Sequence, residues 1–121
     1  MPFRTHREDD VFVIVAEGVI RPEDVPVLRA AERDFFASNP KVSLFLCDCL
    51  EMKIISPEAR EELAVLMRAD NPLIARSAYV VAGDGTAALQ LRRMFKDAGG
   101  GEKRQIFPTR EAALAWLHEA P

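Results

Sequence analysis

Cysteine is scarce in this chain: Cys47 and Cys49 are the only two among 121 residues. Set two apart, they would point the same way in a strand, and they provide no disulfide framework. Histidine is as rare, with His6 and His118 far apart in sequence, so no third ligand joins the cysteines in a zinc-like cluster. No apolar run approaches the roughly 20 residues that a membrane-spanning helix needs. The opening MPFRTHREDD is charged and does not read as a secretory leader. Neither sign of charge dominates: 16 Lys and Arg against 19 Asp and Glu leave a net −3. Bulk charge therefore points to neither nucleic acid nor an acidic membrane. What is present is 49% hydrophobic residues, enough for one core, and the length suits a single domain over 1–121. A cytoplasmic protein without a metal or cofactor is the expectation.

Val11 to Ala16 (VFVIVA) is apolar at every position, as in a strand covered on both faces. Phe3 to His6 forms a preceding strand, with Glu8-Asp9-Asp10 as the hairpin turn. Asp24 is a fitting N-cap for a helix with Pro26 in its first turn, closed by Asn39-Pro40. Val42 to Cys47 is a second buried strand, followed by a loop from Asp48 to Ser56. Ser56 caps the clearest helix, with Pro57 at its first position and Asn71-Pro72 at its end. Ser77 to Ala82 is a strand, and Gly83-Asp84-Gly85-Thr86 turns, with Thr86 as cap, into a helix broken by Gly99-Gly100-Gly101. Arg104 to Phe107 is a short strand, and Thr109 caps the last helix. The order β-β-α-β-α-β-α-β-α predicts an α/β fold with a mixed, mostly parallel sheet that opens with a hairpin and is flanked by helices.

Several chemistries can be weighed against this frame. Gly83-x-Gly85-x-x-Ala88 matches a dinucleotide fingerprint but lacks a downstream acid for the ribose and does not open its fold. Asp48 ends a strand as a phospho-accepting aspartate would, yet no acidic cluster follows the first parallel strand and Phe107-Pro108 stands where a lysine is needed. Asp48 and Glu58 as an acid/base pair have no supporting pocket in the sequence. Glu58, Glu61 and Glu62 gather three carboxylates at a helix start, where the helix dipole favours them. Arg92, Arg93, Lys96, Lys103 and Arg104 form a basic stretch around the next helix. It leaves self-association as a homodimer, or an anionic partner, open.

The strand order and the segment Val42 to Arg60 (VSLFLCDCLEMKIISPEAR), with the ending FPTREAALAWL, resemble the STAS domain, and more particularly its SpoIIAA-like branch of anti-sigma-factor antagonists. In signalling members of that family an acid ends a strand, a hydrophobic loop follows, and Asp-Ser-Ser-Gly opens the next helix, its second serine phosphorylated by a kinase-like anti-sigma factor. The resemblance puts the strand-end acid at Asp48 and the Asp-Ser-Ser positions at Ser56, Pro57 and Glu58. The phosphoacceptor position is thus a glutamate, a fixed single charge that cannot switch.

The resemblance implies a non-catalytic protein-interaction module whose partner is a regulatory protein of anti-sigma or kinase-like kind. The expected contact surface is Asp48, Ile54, Ile55, Ser56, Glu58, Glu61 and Glu62. Asp48 holds the loop through backbone N–H groups, Ile54 and Ile55 are apolar anchors, and Glu58 is the charge that a basic partner reads. The branch also resembles CRAL-TRIO lipid-binding domains, so the alternative is a carrier or sensor of a small hydrophobic ligand held under residues 52–55.

Overall fold

The computed structural model describes residues 2–38, 43–82, 85–99 and 101–119. Five strands form one sheet: β1 (Phe3–Glu8), β2 (Val11–Ile20), β3 (Ser43–Ile55), β4 (Ile74–Val80) and β5 (Arg104–Phe107). Four helices connect or follow them: α1 (Val25–Ser38), α2 (Pro57–Asp70), α3 (Thr86–Ala98) and α4 (Arg110–His118). The strands lie in chain order, β1 antiparallel to β2 and every later pair parallel, which is the mixed sheet expected.

Stepping through the sheet in one direction with right-handed crossovers puts α1, α2 and α3 on the same face. Alternation along the strands then divides the apolar residues between two cores. Phe12, Ile14, Phe45, Cys47, Cys49 and Tyr79 face α1–α3 in the larger core. Val11, Val13, Leu46, Ala78 and Val80 face α4, which contributes Ala113 and Leu117. This explains the unbroken VFVIVA run: odd and even positions enter different cores. In the larger core, Phe12, Phe35, Phe36 and Phe45 meet as a cluster of rings with centroids 4.6–6.0 Å apart. On the other face Trp116 packs on Phe107, while the Arg76 guanidinium lies 4.7 Å above the Trp116 ring and donates to its carbonyl.

The largest departure from the sequence reading concerns residues 48–56. There is no loop from Asp48: β3 runs on to Ile55, because β2 also continues past Ala16 and supplies a partner, pairing Val19 with Ile54 and Ile20 with Ile55. Two register shifts absorb the extension, each adding one residue to β3 relative to β2, and Gly18, beside the second shift, takes a φ of +66° that glycine adopts without strain. Asp24 does not cap α1 directly. It closes a short 3₁₀ turn (Pro22–Asp24) by accepting the Arg21 N–H at 2.8 Å. Gly85, not Thr86, is the N-cap of α3, and Thr86 is its first residue. The hairpin turn narrows to Asp9-Asp10, with Asp9 in the left-handed region, and β4 starts at Ile74 rather than Ser77. The expected helix stop at Asn39-Pro40, the strand start at Val42, Gly83-Asp84 and Gly100 lie outside the described residues.

Candidate functional site

The edge where the parallel strands β2 to β5 end is where open α/β sheets place ligands and partners. At this edge Ser56 caps α2: its Oγ accepts from the Ala59 N–H at 3.2 Å. Its own N–H donates to the Ile20 carbonyl at 2.9 Å, tying α2's start to the end of β2. Gln90 of α3 bonds both backbone groups of Ile55, accepting from its N–H at 3.0 Å and donating to its carbonyl at 2.9 Å. Buried side-chain amides rarely find two complementary partners by chance, and this one fixes α3 beside the end of β3.

Of the residues expected to form a contact surface, Ile54, Glu58, Glu61 and Glu62 are exposed at this edge. Ile55 is not a surface anchor: it is 2% exposed and belongs to the larger core, because the strand extension turns alternate residues inward. Met52 is buried with it, so residues 52–55 form no exposed apolar loop. Asp48 is not brought to the others. Its register neighbours Val15 and Val80 face α4, and its Oδ2 accepts from Arg110 Nε at 3.0 Å. The expected backbone bond is present, from the Leu50 N–H to Oδ1 at 3.2 Å. With Asp48 on the α4 face and Glu58 on α2, the two do not form an acid/base pair. Arg110 also reaches Glu8 at 3.6 Å, and Glu8 meets His6 at 2.9 Å, so this ionic chain joins the hairpin to the start of α4.

A second polar group lies inside the larger core, where no spacing or motif in the sequence points to it. Glu32 (α1), Asp70 (α2) and Arg104 (β5) are all buried. Arg104 donates from Nη1 to the Tyr79 hydroxyl at 3.0 Å, and from Nη2 to the Met67 carbonyl at 2.9 Å and Asn71 Oδ1 at 2.6 Å. The Glu32 carboxyl is pushed up to about 10, by burial first and then by its hydrogen bond and proximity to Asp70. Asp70 is also raised by burial, but its bond from Glu32 and the nearby Arg104 and Arg29 oppose the rise. Both carboxyls are thus raised by burial and titrate as a pair that favours holding one proton, with the larger rise on Glu32, and Arg104 offsets the remaining charge. Burial likewise raises Cys47 well above the usual thiol range and Cys49 to about 12, so neither is a reactive thiolate. Cys49 is thus a buried strand residue, not a loop one.

These groups line a cavity of about 70 Å³, otherwise walled by apolar side chains such as Met52, Leu63, Met67 and Met94. Among the described residues, Glu32 Oε1 and Arg104 Nε have no hydrogen-bond partner. The basic stretch read from the sequence divides accordingly. Arg104 is internal, Lys103 donates to the Asn71 carbonyl, and only Arg92, Arg93 and Lys96 face out from α3. Among the described residues, no group of three or more His, Cys, Asp or Glu is arranged to hold a metal ion. No helix is long and apolar enough to cross a membrane.

No family model and no curated protein sequence matches the chain. Solved structures do match it along nearly its whole length. An uncharacterized protein from the DUF3478 family with a SpoIIAA-like fold, from Shewanella loihica PV-4, superposes with a TM-score of 0.73 at 20% identity, over 95% of this chain and 91% of that one. The anti-sigma factor antagonist SpoIIAA in its unphosphorylated form gives 0.67 at 13% identity, over 96% and 97%. An anti-sigma factor antagonist from Mycobacterium paratuberculosis gives 0.64 at 19% identity, over 96% and 92%.

Proposed function

The chain has the SpoIIAA-like fold of anti-sigma factor antagonists, and we propose that it acts as a non-catalytic, STAS-type binding module for a regulatory protein. The surface is the edge at which β3 ends and α2 begins. The observation that carries this reading is the pairing of Ile54, 45% exposed beside the buried end of β3 at Ile55, with the exposed carboxylates of Glu58, Glu61 and Glu62 on the helix that follows. An apolar side chain held on a rigid strand, beside charges of one sign, suits a basic protein surface with an apolar pocket. Glu58 is a permanent charge where signalling members of the fold carry a phosphorylated serine, so binding is constitutive and not switched by phosphate.

The carrier reading asks for a cavity of a few hundred Å³. The cavity behind residues 52–55 is about 70 Å³, enough for a small group or a few waters, while the wider clefts of about 310–320 Å³, one between α1 and α2 and one beside Asp48 and Arg110, lie away from those residues; this favours the protein-binding reading. The test is affinity capture from the native lysate with the wild type, Ile54→Asp and Glu58→Lys as baits. A specific partner retained by the wild type and lost by both variants is the expected result. Undiminished capture by the variants means the surface is wrong. Native mass spectrometry of the purified chain, if it showed a bound small molecule, would overturn the reading in favour of a carrier.

A further inference from the structure

The outer surfaces of α2 and α3 carry opposite charges side by side. On α2 the exposed residues include Glu58, Glu61, Glu62, Val65 and Arg68; on α3 they include Leu89, Arg92, Arg93, Lys96 and Asp97. None of these charges forms an ion pair within the chain among the described residues. The two helices pack together, and both follow parallel strands, so they point the same way. Their relative height is set by Gln90, whose amide bonds the backbone of Ile55 one residue before the α2 cap. With about 1.5 Å rise per residue, the row Glu58, Glu61 and Glu62 then runs beside the stretch of α3 that carries Arg92, Arg93 and Lys96.

We infer that a second copy of this chain docks on this face, its α3 over α2 and its α2 over α3, about a two-fold axis running along the helices. The inference rests on the reading of Glu58, Glu61 and Glu62 as a recognition row and names the partner of that row. A two-fold contact repeats every pairing twice. Here each copy's acidic row of Glu58, Glu61 and Glu62 meets the other's basic row of Arg92, Arg93 and Lys96. Val65 and Leu89, the two most exposed large apolar residues at 52% and 54%, lie within the same face and lose water on docking. On the α4 side, by contrast, Arg110, Asp48, Glu8 and His6 contact one another within the chain.

Two helices about 20 Å long and about 10 Å apart offer roughly 400 Å² per copy. That is half of the usual ~800 Å² per partner, so the dimer belongs with weak, reversible contacts and forms in the micromolar range or above. Because its pairs are exposed, it weakens as salt shortens the screening length.

The test is sedimentation velocity on three versions of the full chain from about 10 to 500 µM in low salt. They are the wild type, Glu61→Arg with Glu62→Arg, and Arg92→Glu with Arg93→Glu. The substituted positions are exposed, and circular dichroism confirms that the variants remain folded. The wild type is expected to shift toward twice its mass with concentration, and to lose most of that shift in 0.5 M salt. Each variant alone, now carrying like charges on both helices, is expected to stay monomeric. An equimolar mixture of the two restores complementary pairs on both sides and is expected to recover the dimer. A wild type that stays monomeric throughout, variants that dimerise as well as the wild type, or a mixture that remains monomeric would each overturn the inference. A monomeric wild type whose captured partner is lost with Ile54→Asp would sink the second copy and leave the partner-binding reading standing.

Discussion

The two faces of the sheet handle charge in opposite ways. Beneath α1, α2 and α3, Glu32, Asp70 and Arg104 are almost wholly out of water, and one carboxyl keeps its proton so that only one negative charge opposes the guanidinium. On the α4 face, Arg110, Asp48, Glu8 and His6 are partly in water, their side chains 38%, 17%, 44% and 46% exposed. Both groups tie elements distant in sequence. They differ in what removal of one member leaves behind: an uncompensated charge in an apolar medium on one side, a resolvated charge on the other.

Replacing Arg104 breaks this contrast most severely. Arg104→Met takes donors from Tyr79, Met67 and Asn71 and leaves Asp70 only the weaker influence of Arg29. A loss of about 3–5 kcal/mol in urea unfolding is expected, the range for breaking a buried charged network. A loss under 1 kcal/mol would mean that water reaches the cluster.

Changing pH sharpens the comparison with a moderate effect. The Glu32 carboxyl is raised in the folded chain, so the native state holds a proton that the unfolded chain releases. Its contribution is full below about pH 4.5 and is lost as pH rises toward about 10. Glu32→Gln keeps a donor toward Asp70 and has nothing to titrate. Its stability relative to the wild type should therefore climb steadily across that window. Parallel curves of stability against pH for the two proteins would show that Glu32 does not hold the proton.

The smallest effect belongs to the other face. Arg110→Ala should cost about 0–1 kcal/mol at low salt and still less in 0.5 M salt, as expected for a half-exposed ion pair. A cost approaching that of Arg104→Met would make the α4 network as structural as the buried one.

Much of the fold was legible because it depends on local rules. The Ser56-Pro57 and Thr109 caps fall where expected, since N-cap hydroxyls act within three residues. The carboxylate row of α2 was equally legible, as exposure follows from helical spacing alone. The end of β3 was not. A polar residue after an apolar run reads as a strand end, and Asp48 continues the strand only because β2 extends beside it. Ile55 changed from anchor to core for the same reason.

The sequence by itself determined the order of strands and helices, the Ser56 and Thr109 caps and the sorting of alternate residues to two faces, all of which arise from periods of 2 and 3.6 and from hydrogen bonds a few residues long. Only the tertiary structure decided which charges lost their water. Glu32 sits between Arg29 and Arg33, a setting that reads as a solvated helix face. It is buried because α2 and β5 bring Asp70 and Arg104 to it from far along the chain. Desolvation depends on what packs against a group, and that is a property of neighbours in space rather than in sequence.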